Sequence, residues 1–385
     1  MPTGRKFRFE PTSEQAITLS QWIGCARLMY NRKGAEERYR DWLRRFAKFS
    51  ARAFAPDEDS SAFSFDQAYS HLRGDHEKEP WLYDVPPEIF RNAMYQRKQA
   101  WSNHWSDPQK VGRPTNRRKG ENDSILLTKE LFEFKNTGVI HIAGRGNRVV
   151  GDVRFHQHRS FGKPKSVTVS HESDGRWWLS FSFEDGVDTQ KAQVATMKSL
   201  PSMSDHAIAE SISGHDLGVV RAVTCSDGKV LAFTERKLGR IDRSKRRIRL
   251  LQRKLARQVK GSGKRRKTKR RIARTHSKIG DLRRDHAHQV SCVLAKQPSK
   301  ILAFERLNLR GMTKRAKPVL DLDTGAFVPN GAAAKSGLNS AILNQALGMI
   351  VLFTSYKAAR AGKMVVHVPA ANSSRECSGC CLLYT

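Results

Sequence analysis

The order of strands and helices in the second half of the chain constrains the fold more than any other feature of the sequence. Apolar alternation predicts strands, and apolar residues spaced three and four positions apart predict helices. After residue 206 these patterns predict strands over 212–217, 221–225 and 230–233, helices over 241–295, a strand over 301–304, a helix over 338–361 and a strand over 364–368. Gly261-Ser262-Gly263 divides the long helical stretch into an antiparallel hairpin. This order predicts an α/β domain with helices packed on a sheet.

Two acidic residues end predicted strands of this domain. Asp216 stands at the end of the first strand, and Glu305 follows the fourth. The order of elements is that of an RNase H-like fold, whose carboxylates lie on strand ends at the centre of the sheet. Phosphodiester hydrolysis uses such clustered carboxylates to hold two Mg²⁺ ions. Asp216 and Glu305 are therefore the candidate catalytic residues and Mg²⁺ ligands. Ordinary strand-end acids in caps or salt bridges remain the alternative.

The charge of the chain points to a polyanionic partner. Lys and Arg number 70 against 37 Asp and Glu, a formal net charge of +33. Such an excess repels itself, and a polyanion that releases counterions on binding relieves that repulsion. Nucleic acid is the first candidate partner and an anionic membrane surface the second. No stretch approaches the ~20 apolar residues of a spanning helix, and residues 1–10 lack the apolar segment of a signal peptide. We therefore expect a cytoplasmic protein that binds nucleic acid and no membrane.

The predicted helical hairpin concentrates this positive charge. Between Arg243 and Arg284 there are 20 Lys and Arg and a single acid, Asp281. A solvated helix face normally mixes both signs, so contact with phosphates explains this composition better than solubility alone. The candidate nucleic-acid-binding residues of the hairpin are Arg246, Arg247, Lys264, Arg265, Arg266, Lys267, Lys269, Arg270 and Arg271.

The first half of the chain is predicted to be helical and then rich in strands. A strand over 6–9 precedes a helix whose start carries Thr12 and Gln15 at capping-box spacing, and a second helix follows Pro86-Pro87. The basic residues after that helix, which are further candidates for nucleic-acid binding, are Arg113, Arg117, Arg118 and Lys119. From about 125 to 190 a period of two predicts antiparallel strands in a small barrel. A polar segment over 188–205 suits a linker.

The six cysteines do not have the spacing of a disulfide framework. Cys25, Cys225 and Cys292 lie in apolar patterns and are expected in the core, with reduced thiols. Cys377 and Cys380 form a CxxC motif, which supplies two of the four ligands of a structural zinc site. A redox motif is the alternative, although no thioredoxin-like context surrounds it.

Together these features resemble the TnpB proteins of bacterial insertion sequences and the related compact type V CRISPR effectors. Five segments carry the resemblance over nearly the whole chain: Lys6–Thr12, Ala26–Asn31, Gly112–Pro114, Leu307–Met312 and Asn372–Cys380. Asp216 and Glu305 fall on the family's first and second RuvC-motif acids. The order and spacing of these segments are more specific than any one of them.

The resemblance implies a multidomain α+β protein that binds a guide RNA and target double-stranded DNA, with Mg²⁺ at the acids and Zn²⁺ at the cysteines. The guide RNA is transcribed from the transposon end and selects DNA by base pairing. The implied domains are a wedge-like β-barrel (1–12 and 116–190), a helical recognition domain (13–115), a linker (191–205), a RuvC-like RNase H-fold domain (206–368, with the basic hairpin 241–295) and a partial zinc ribbon (369–385).

The chain also departs from the family. The resemblance implies a second cysteine pair and a third catalytic Asp after the zinc-binding pair Cys377 and Cys380, whereas this sequence stops at Thr385. We therefore expect guided DNA binding with slow or no cleavage in these 385 residues, and Mg²⁺-dependent endonuclease activity if a third Asp follows. The rival is a nuclease-dead, guide-directed repressor. A strand-transfer transposase is a weaker alternative, because no dedicated Tyr nucleophile appears.

Overall fold

The structure is a computed structural model, which describes residues 2–46, 71–121, 123–136, 138–143, 149–184, 186, 189–199, 201–321 and 323–370. The chain divides into two compact units, Met1–Gly186 and Val187–Thr385. Gly144-Arg145-Gly146, for which the sequence predicts a turn, lies outside the described residues.

The first unit combines two long helices with two antiparallel sheets. Its described elements are β1 (Pro2–Phe9), α1 (Ser13–Phe46), α2 (Pro87–Ser106), β2 (Asp123–Leu127), β3 (Phe132–Asn136), β4 (Val139–Ile142), β5 (Gly151–Arg154), β6 (Ser166–His171) and β7 (Trp177–Glu184). The helices pack through an apolar face that includes Trp22 and Phe90, both fully buried.

Local sequence signals set the starts of both helices as predicted. At α1 the Thr12 hydroxyl accepts from the Gln15 backbone N–H (3.3 Å), and the Gln15 side chain accepts from the Thr12 N–H (3.1 Å). These reciprocal bonds satisfy two of the N–H groups that a helix start leaves unpaired, so the predicted capping box is confirmed. At α2, Pro87 occupies the first helical turn, where its missing N–H loses nothing.

The strands of the first unit form two open sheets rather than the predicted closed barrel. The orders are β1-β7-β6-β2 and β3-β4-β5, and an isolated bridge joins Phe9 to Phe155 among the described residues. Large rings fill the space between the sheets; Phe155 and Phe181, for example, lie 5.0 Å apart. Among the described residues, the strand pairing between the two sheets is limited to this bridge, so no continuous hydrogen-bond ladder closes them into a barrel.

The second unit contains a five-stranded mixed sheet with long helices. Its described elements are α3 (Thr189–Ser199), α4 (Asp205–Ser211), β8 (Ile212–Asp216), β9 (Val223–Cys225), β10 (Val230–Leu231), α5 (Glu235–Ala256), α6 (Gly263–Ala295), β11 (Ile301–Glu305), α7 (Leu309–Met312), β12 (Val319–Leu320), β13 (Phe327–Val328), α8 (Ala332–Gln345), α9 (Leu347–Arg360) and β14 (Met364–Val368).

The predicted order of strands and helices in this unit is confirmed. The sheet order is β10-β9-β8-β11-β14, in which β8, β11 and β14 are parallel and the first two strands antiparallel. Leu302 and Phe304 of β11 are fully buried in one core with Leu294 of α6 and Ile350 of α9. The sheet and these two helices therefore hold the ends of β8 and β11 in place.

The predicted helix over 338–361 is interrupted. Ala346 adopts a left-handed conformation (φ 57°), which ends α8 and begins α9. The buried Gln345 side chain donates to the carbonyl oxygen of Val219 (2.6 Å). By length and composition, residues 332–360 would satisfy a test for a membrane-crossing helix, contrary to the sequence expectation. Their break at Ala346 and the buried positions of Leu347 and Ile350 make them part of this unit's core.

A helix also occupies part of the expected linker. α3 covers 189–199, where the sequence is polar and shows little periodicity. It is held by side-chain contacts to the turn after α9, because the Thr196 hydroxyl donates to the Gly362 carbonyl oxygen (2.6 Å) and Gln193 donates to that of Lys363 (3.3 Å). These tertiary contacts replace the apolar face that a sequence pattern would detect.

Candidate active site and nucleic-acid interface

The two predicted catalytic acids end neighbouring strands of the second unit's sheet. β8 and β11 run parallel with Phe304 opposite His215, so the next residues, Glu305 and Asp216, continue the same register. Hydrogen-bonded strands lie about 4.8 Å apart, and residues in register point to the same face. The structure therefore brings these two carboxylates to one face at the carboxyl ends of two central strands.

The face that carries the acids differs from the face packed on the helices. In β8, Ser213 and His215 are buried, whereas Asp216 is exposed. Gly214 and Ala303, which pair in register, precede the acids on their own face. Because neither has a side chain larger than a methyl group, no bulky group of these two strands stands in front of the carboxylates.

His215 stabilises the strand pair from the buried face. Its Nδ1 lies 3.3 Å from the carbonyl oxygen of Ala303, and its Nε2 lies 2.9 Å from Oε1 of Gln297. Its ring stacks on Phe304 at 4.8 Å. The structure explains the imidazole by its polar contacts to β11 and to the segment before it.

The donor set of the acid pair fits a hard divalent cation. Carboxylate oxygens are the ligands that Mg²⁺ prefers in proteins. Within the described ranges, no group of three or more His, Cys, Asp or Glu side chains is placed to hold a metal ion. Asp321 is occupied elsewhere, because its carboxylate accepts from the Thr324 hydroxyl (2.8 Å), a bond that lowers the pKa of Asp321. The described residues thus provide two candidate metal ligands here.

The helical hairpin of α5 and α6 displays most of its positive charge to solvent. Of the 20 Lys and Arg between Arg243 and Arg284, seventeen have exposed side chains. A small apolar cluster holds the two helices together, with Ile241, Ile248 and Ile279 buried beside Phe233. The surface of the hairpin is an extended array of cations with the composition of a phosphate-binding face.

Three cations of the hairpin have structural contacts instead. Lys245 donates to the Ser340 hydroxyl (2.7 Å) and Arg283 to Oδ1 of Asn344 (2.6 Å), so both connect the hairpin to α8. Burial lowers the pKa of both side chains. Arg265, a predicted nucleic-acid contact, donates to the carbonyl oxygens of Leu255 and Gln258 at the end of α5. It therefore caps that helix, because the unpaired carbonyl groups at a helix C-terminus carry partial negative charge and bind a cation favourably.

The basic segment after α2 divides in a similar way. Arg113, Arg118 and Lys119 are exposed, as a phosphate contact requires. Arg117 is half-buried with its guanidinium 4.0 Å from the centre of the Tyr30 ring, and burial lowers its pKa. The Asn31 side chain pairs with the Arg117 backbone through bonds of 2.8 and 2.9 Å. The predicted role of Arg117 is thus better described as attachment of this segment to α1.

The cysteines follow the predictions in part. Cys25 and Cys225 are buried, and burial raises the pKa of the Cys225 thiol. The prediction that Cys292 belongs to the core is wrong. It is exposed on α6 and lies 3.1 Å from Nζ of Lys357, because its neighbours Val290 and Ser291 occupy the buried face of that helix. Cys377 and Cys380 lie outside the described residues.

One cluster of rings was missed from the sequence. In the sequence, Phe90, Met94, Trp101 and Trp105 lie on one face of α2. Phe90 and Met94 are buried, whereas Trp105 is 65% exposed. The available signal was its position in the last turn of the helix, beyond the core and just before the basic segment.

Parts of the chain match two protein families. Residues 199–316 match a family described as a probable transposase (OrfB_IS605), and residues 1–35 match a family described as a helix-turn-helix domain (HTH_OrfB_IS605). Both acids lie inside the first of these matches.

Two curated proteins are similar over most of the chain. A putative RNA-guided DNA endonuclease of Streptomyces pristinaespiralis is 30% identical over 313 residues, which cover 81% of this chain and 68% of that protein. The putative RNA-guided DNA endonuclease InsQ of Escherichia coli (strain K12) is 26% identical over 382 residues, or 97% of this chain and 82% of InsQ. A solved Cas12f1-sgRNA-target DNA complex aligns with 13% identity over 100% of this chain and 92% of that one, with a TM-score of 0.48.

Proposed function

Because the chain belongs to the TnpB family of insertion-sequence proteins, we propose that it is an RNA-guided DNA-binding protein with a RuvC-like nuclease domain of RNase H type. Its relatives are named RNA-guided DNA endonucleases, and both come from bacteria. The partners of this chain are a guide RNA and target double-stranded DNA, in the bacterial cytoplasm close to the nucleoid.

The observation that carries the proposal is the register of Asp216 and Glu305. Two carboxylates on adjacent parallel strands form a rigid donor pair, since the backbone ladder holds both strand ends. On the other side of β11, the Arg306 N–H donates to the Val368 carbonyl oxygen (2.8 Å), so the ladder between β11 and β14 continues past Glu305. Bound Mg²⁺ supplies stabilisation of the negative charge that develops on a phosphodiester. The two acids hold the cation, and His215 positions their strands from the opposite face.

The basic hairpin has a separate role in this proposal. Its exposed cations contact phosphates, which gives affinity without reading the base sequence. Sequence selection then comes from pairing between the guide RNA and one DNA strand. This division agrees with the described contacts, in which most of the hairpin's cations extend into solvent.

The remaining domains are assigned from the family resemblance. We infer that 1–12 and 116–190 form a wedge-like domain made of the two open sheets, and that 13–115 form a helical recognition domain. Residues 191–205 connect these to the RuvC-like domain at 206–368, and 369–385 belong to a zinc ribbon with Cys377 and Cys380 as ligands.

Reprogramming tests guidance directly. The protein is co-expressed with its insertion-sequence end, and the RNA that copurifies is sequenced. The segment of that RNA that pairs with DNA is then replaced, and binding to two duplexes is compared. We expect the complex to follow the new sequence, because base pairing selects the target. Recovery of random RNA, with no change of DNA preference after replacement, would contradict guided function.

A second candidate is a guide-directed repressor that binds without cutting. It is favoured by one observation: the described residues bring two acids together at the site, whereas a two-metal centre generally uses more ligands. Occupancy of matched DNA with no product in Mg²⁺ would support the repressor. Product formation that depends on Asp216 would support the nuclease.

A further inference from the structure

A groove on the first unit has the composition of a nucleotide site, and the proposed cleavage chemistry does not use it. Its volume is about 540 Å³, and residues of α1, α2 and the segment after α2 line it. Trp101 and Trp105 form its aromatic wall, and Arg38, Arg97 and Arg113 provide its positive charges.

The aromatic wall is fixed from behind and open in front. Trp101 and Trp105 stack nearly parallel, with ring centres 5.8 Å apart and an angle of 18°. The Trp101 indole N–H donates to Oε2 of Glu37 (2.8 Å), which fixes the inner ring. Trp105 is 65% exposed. An indole left in water loses the free energy of apolar burial, so a flat aromatic ligand on its open side would be stabilised.

The charges of the groove favour a ligand that also carries a negative group. Glu37 and Asp41 are its acids, and the Glu37 carboxylate is neutralised by Arg97 through Nη2 (2.7 Å) and Nε (2.8 Å). Arg97 is 2% exposed, and its Nη1 has no hydrogen-bond partner among the described residues. That guanidinium packs on the Tyr30 ring, 4.8 Å from its centre. The exposed Arg38 and Arg113 are therefore the cations that the groove offers to an anionic group.

The segment that carries Arg113 is held against the aromatic wall. Nδ1 of His104 donates to the Val111 carbonyl oxygen (2.6 Å), and the His104 ring contacts both tryptophans. Arg38 donates to Oδ1 of Asn116 (3.1 Å), which fixes the far side of the segment. The exposed Arg113 is thereby kept beside the open ring, as a preorganised site requires.

We propose that this groove binds an unpaired nucleotide, whose base stacks on Trp105 and whose phosphate faces Arg113. Bases inside a duplex are covered on both sides, so the open ring selects a strand with an unstacked base. This deepens the proposed function, on which it rests for the presence of RNA and DNA. The ligand chemistry, a base face with its phosphate, is shared by both polymers.

The test uses the full chain and short oligonucleotides that contain one 2-aminopurine, a base whose fluorescence falls on stacking. One arm uses RNA and the other DNA, each as a single strand and as a duplex with the probe inside. We expect quenching with single strands, and Trp105→Ala should weaken their binding about tenfold and abolish the quenching. Trp105→Phe should restore most of both, since it keeps a ring.

Trp81→Ala is the matched control, because Trp81 is another exposed tryptophan of this unit that does not line the groove. It should bind and quench as the unaltered chain does. The arm with the stronger Trp105-dependent quenching identifies the source of the nucleotide. Equal affinity of Trp105→Ala and the unaltered chain, or equal quenching by strand and duplex, would overturn the proposal. Guided binding of matched DNA would still be measurable in the Trp105 variants, so failure of this site and failure of the proposed function are distinguishable.

Discussion

The acid pair and the basic hairpin belong to the same unit, but the first has two charges at fixed strand ends and the second has many charges spread along two helices. Asp216 and Glu305 are two groups whose positions follow from one strand register. The hairpin has seventeen exposed cations on two helices, and many of them are interchangeable in a screened phosphate contact. The comparison shows that metal binding at the strand ends depends on two individual carboxylates, whereas nucleic-acid binding by the hairpin depends on the total number of its exposed cations. One substitution should suffice at the first, and several are needed at the second.

The largest effect on binding should come from removing several hairpin cations together. Replacing Arg266, Lys267, Lys269, Arg270 and Arg271 with Gln should weaken nucleic-acid affinity on the order of 10²- to 10³-fold at physiological salt, and the slope of log affinity against log salt should fall by about 4, since each phosphate contact releases counterions. Fluorescence anisotropy over a salt series measures both quantities.

The control for that variant removes the same number of charges elsewhere. Five exposed lysines outside the hairpin serve this purpose: Lys110, Lys129, Lys163, Lys165 and Lys198. If both variants lose the same slope, net charge governs binding and the hairpin has no special place in it.

Arg265 should behave unlike its neighbours in the same run. Its bonds to the end of α5 predict that Arg265→Gln lowers the free energy of unfolding by about 1 kcal/mol, with little change in nucleic-acid affinity. Arg266→Gln, at an exposed neighbour with no described contact, should do the reverse. Thermal unfolding and anisotropy on both proteins separate the two roles. Equal loss of affinity in both would return Arg265 to the binding surface.

The smallest expected effect is on the pH dependence of stability and comes from His286, a buried residue of α6. His286 is buried against Phe233, with ring centres 3.7 Å apart, and burial together with nearby Lys237 lowers its pKa to about 4, while Asp285 opposes that shift. Between pH 6.5 and about pH 4, this histidine is therefore protonated in the unfolded chain and neutral in the folded chain. The free energy of unfolding is therefore unaffected by this group above pH 6.5 and decreases as the pH falls from 6.5 to about 4.

His286→Phe, which keeps the stacked ring, should accordingly flatten the decline of thermal stability between pH 6.5 and pH 4. His276→Phe, at an exposed position of the same helix, is the control and should leave the decline unchanged. A decline identical in the His286 variant and the unaltered protein would show that other groups cause it.

The features that could be predicted from the sequence are those determined by neighbouring residues. Features encoded locally were found, such as the Thr12–Gln15 capping box and the acids that close β8 and β11. Periodicity and turn residues are sufficient for these, because neighbouring positions determine them.

Features that depend on distant partners were not found. Arg265 and Arg266 are adjacent and chemically identical, yet one caps a helix and the other extends into solvent. The helix likewise breaks at an alanine, Ala346, and the buried Gln345 beside it bonds to Val219, 126 positions away in sequence. Pairing over such separations is a property of the fold, and no local pattern reports it.

The most direct test of the central claim is Mg²⁺-dependent cleavage of matched DNA by four guide-loaded proteins: the unaltered chain, Asp216→Ala, Glu305→Gln and Asp323→Ala. Asp323 is an exposed acid in the turn between β12 and β13 and serves as the control. If the acid pair holds the metal, the first and last proteins cut at the same rate, which is expected to be slow in these 385 residues and is therefore followed over long single-turnover reactions. The Asp216 and Glu305 variants bind the same DNA within about twofold and cut at least about 10²-fold more slowly. Cleavage by Asp216→Ala at the rate of the unaltered chain would contradict the assignment of the active site.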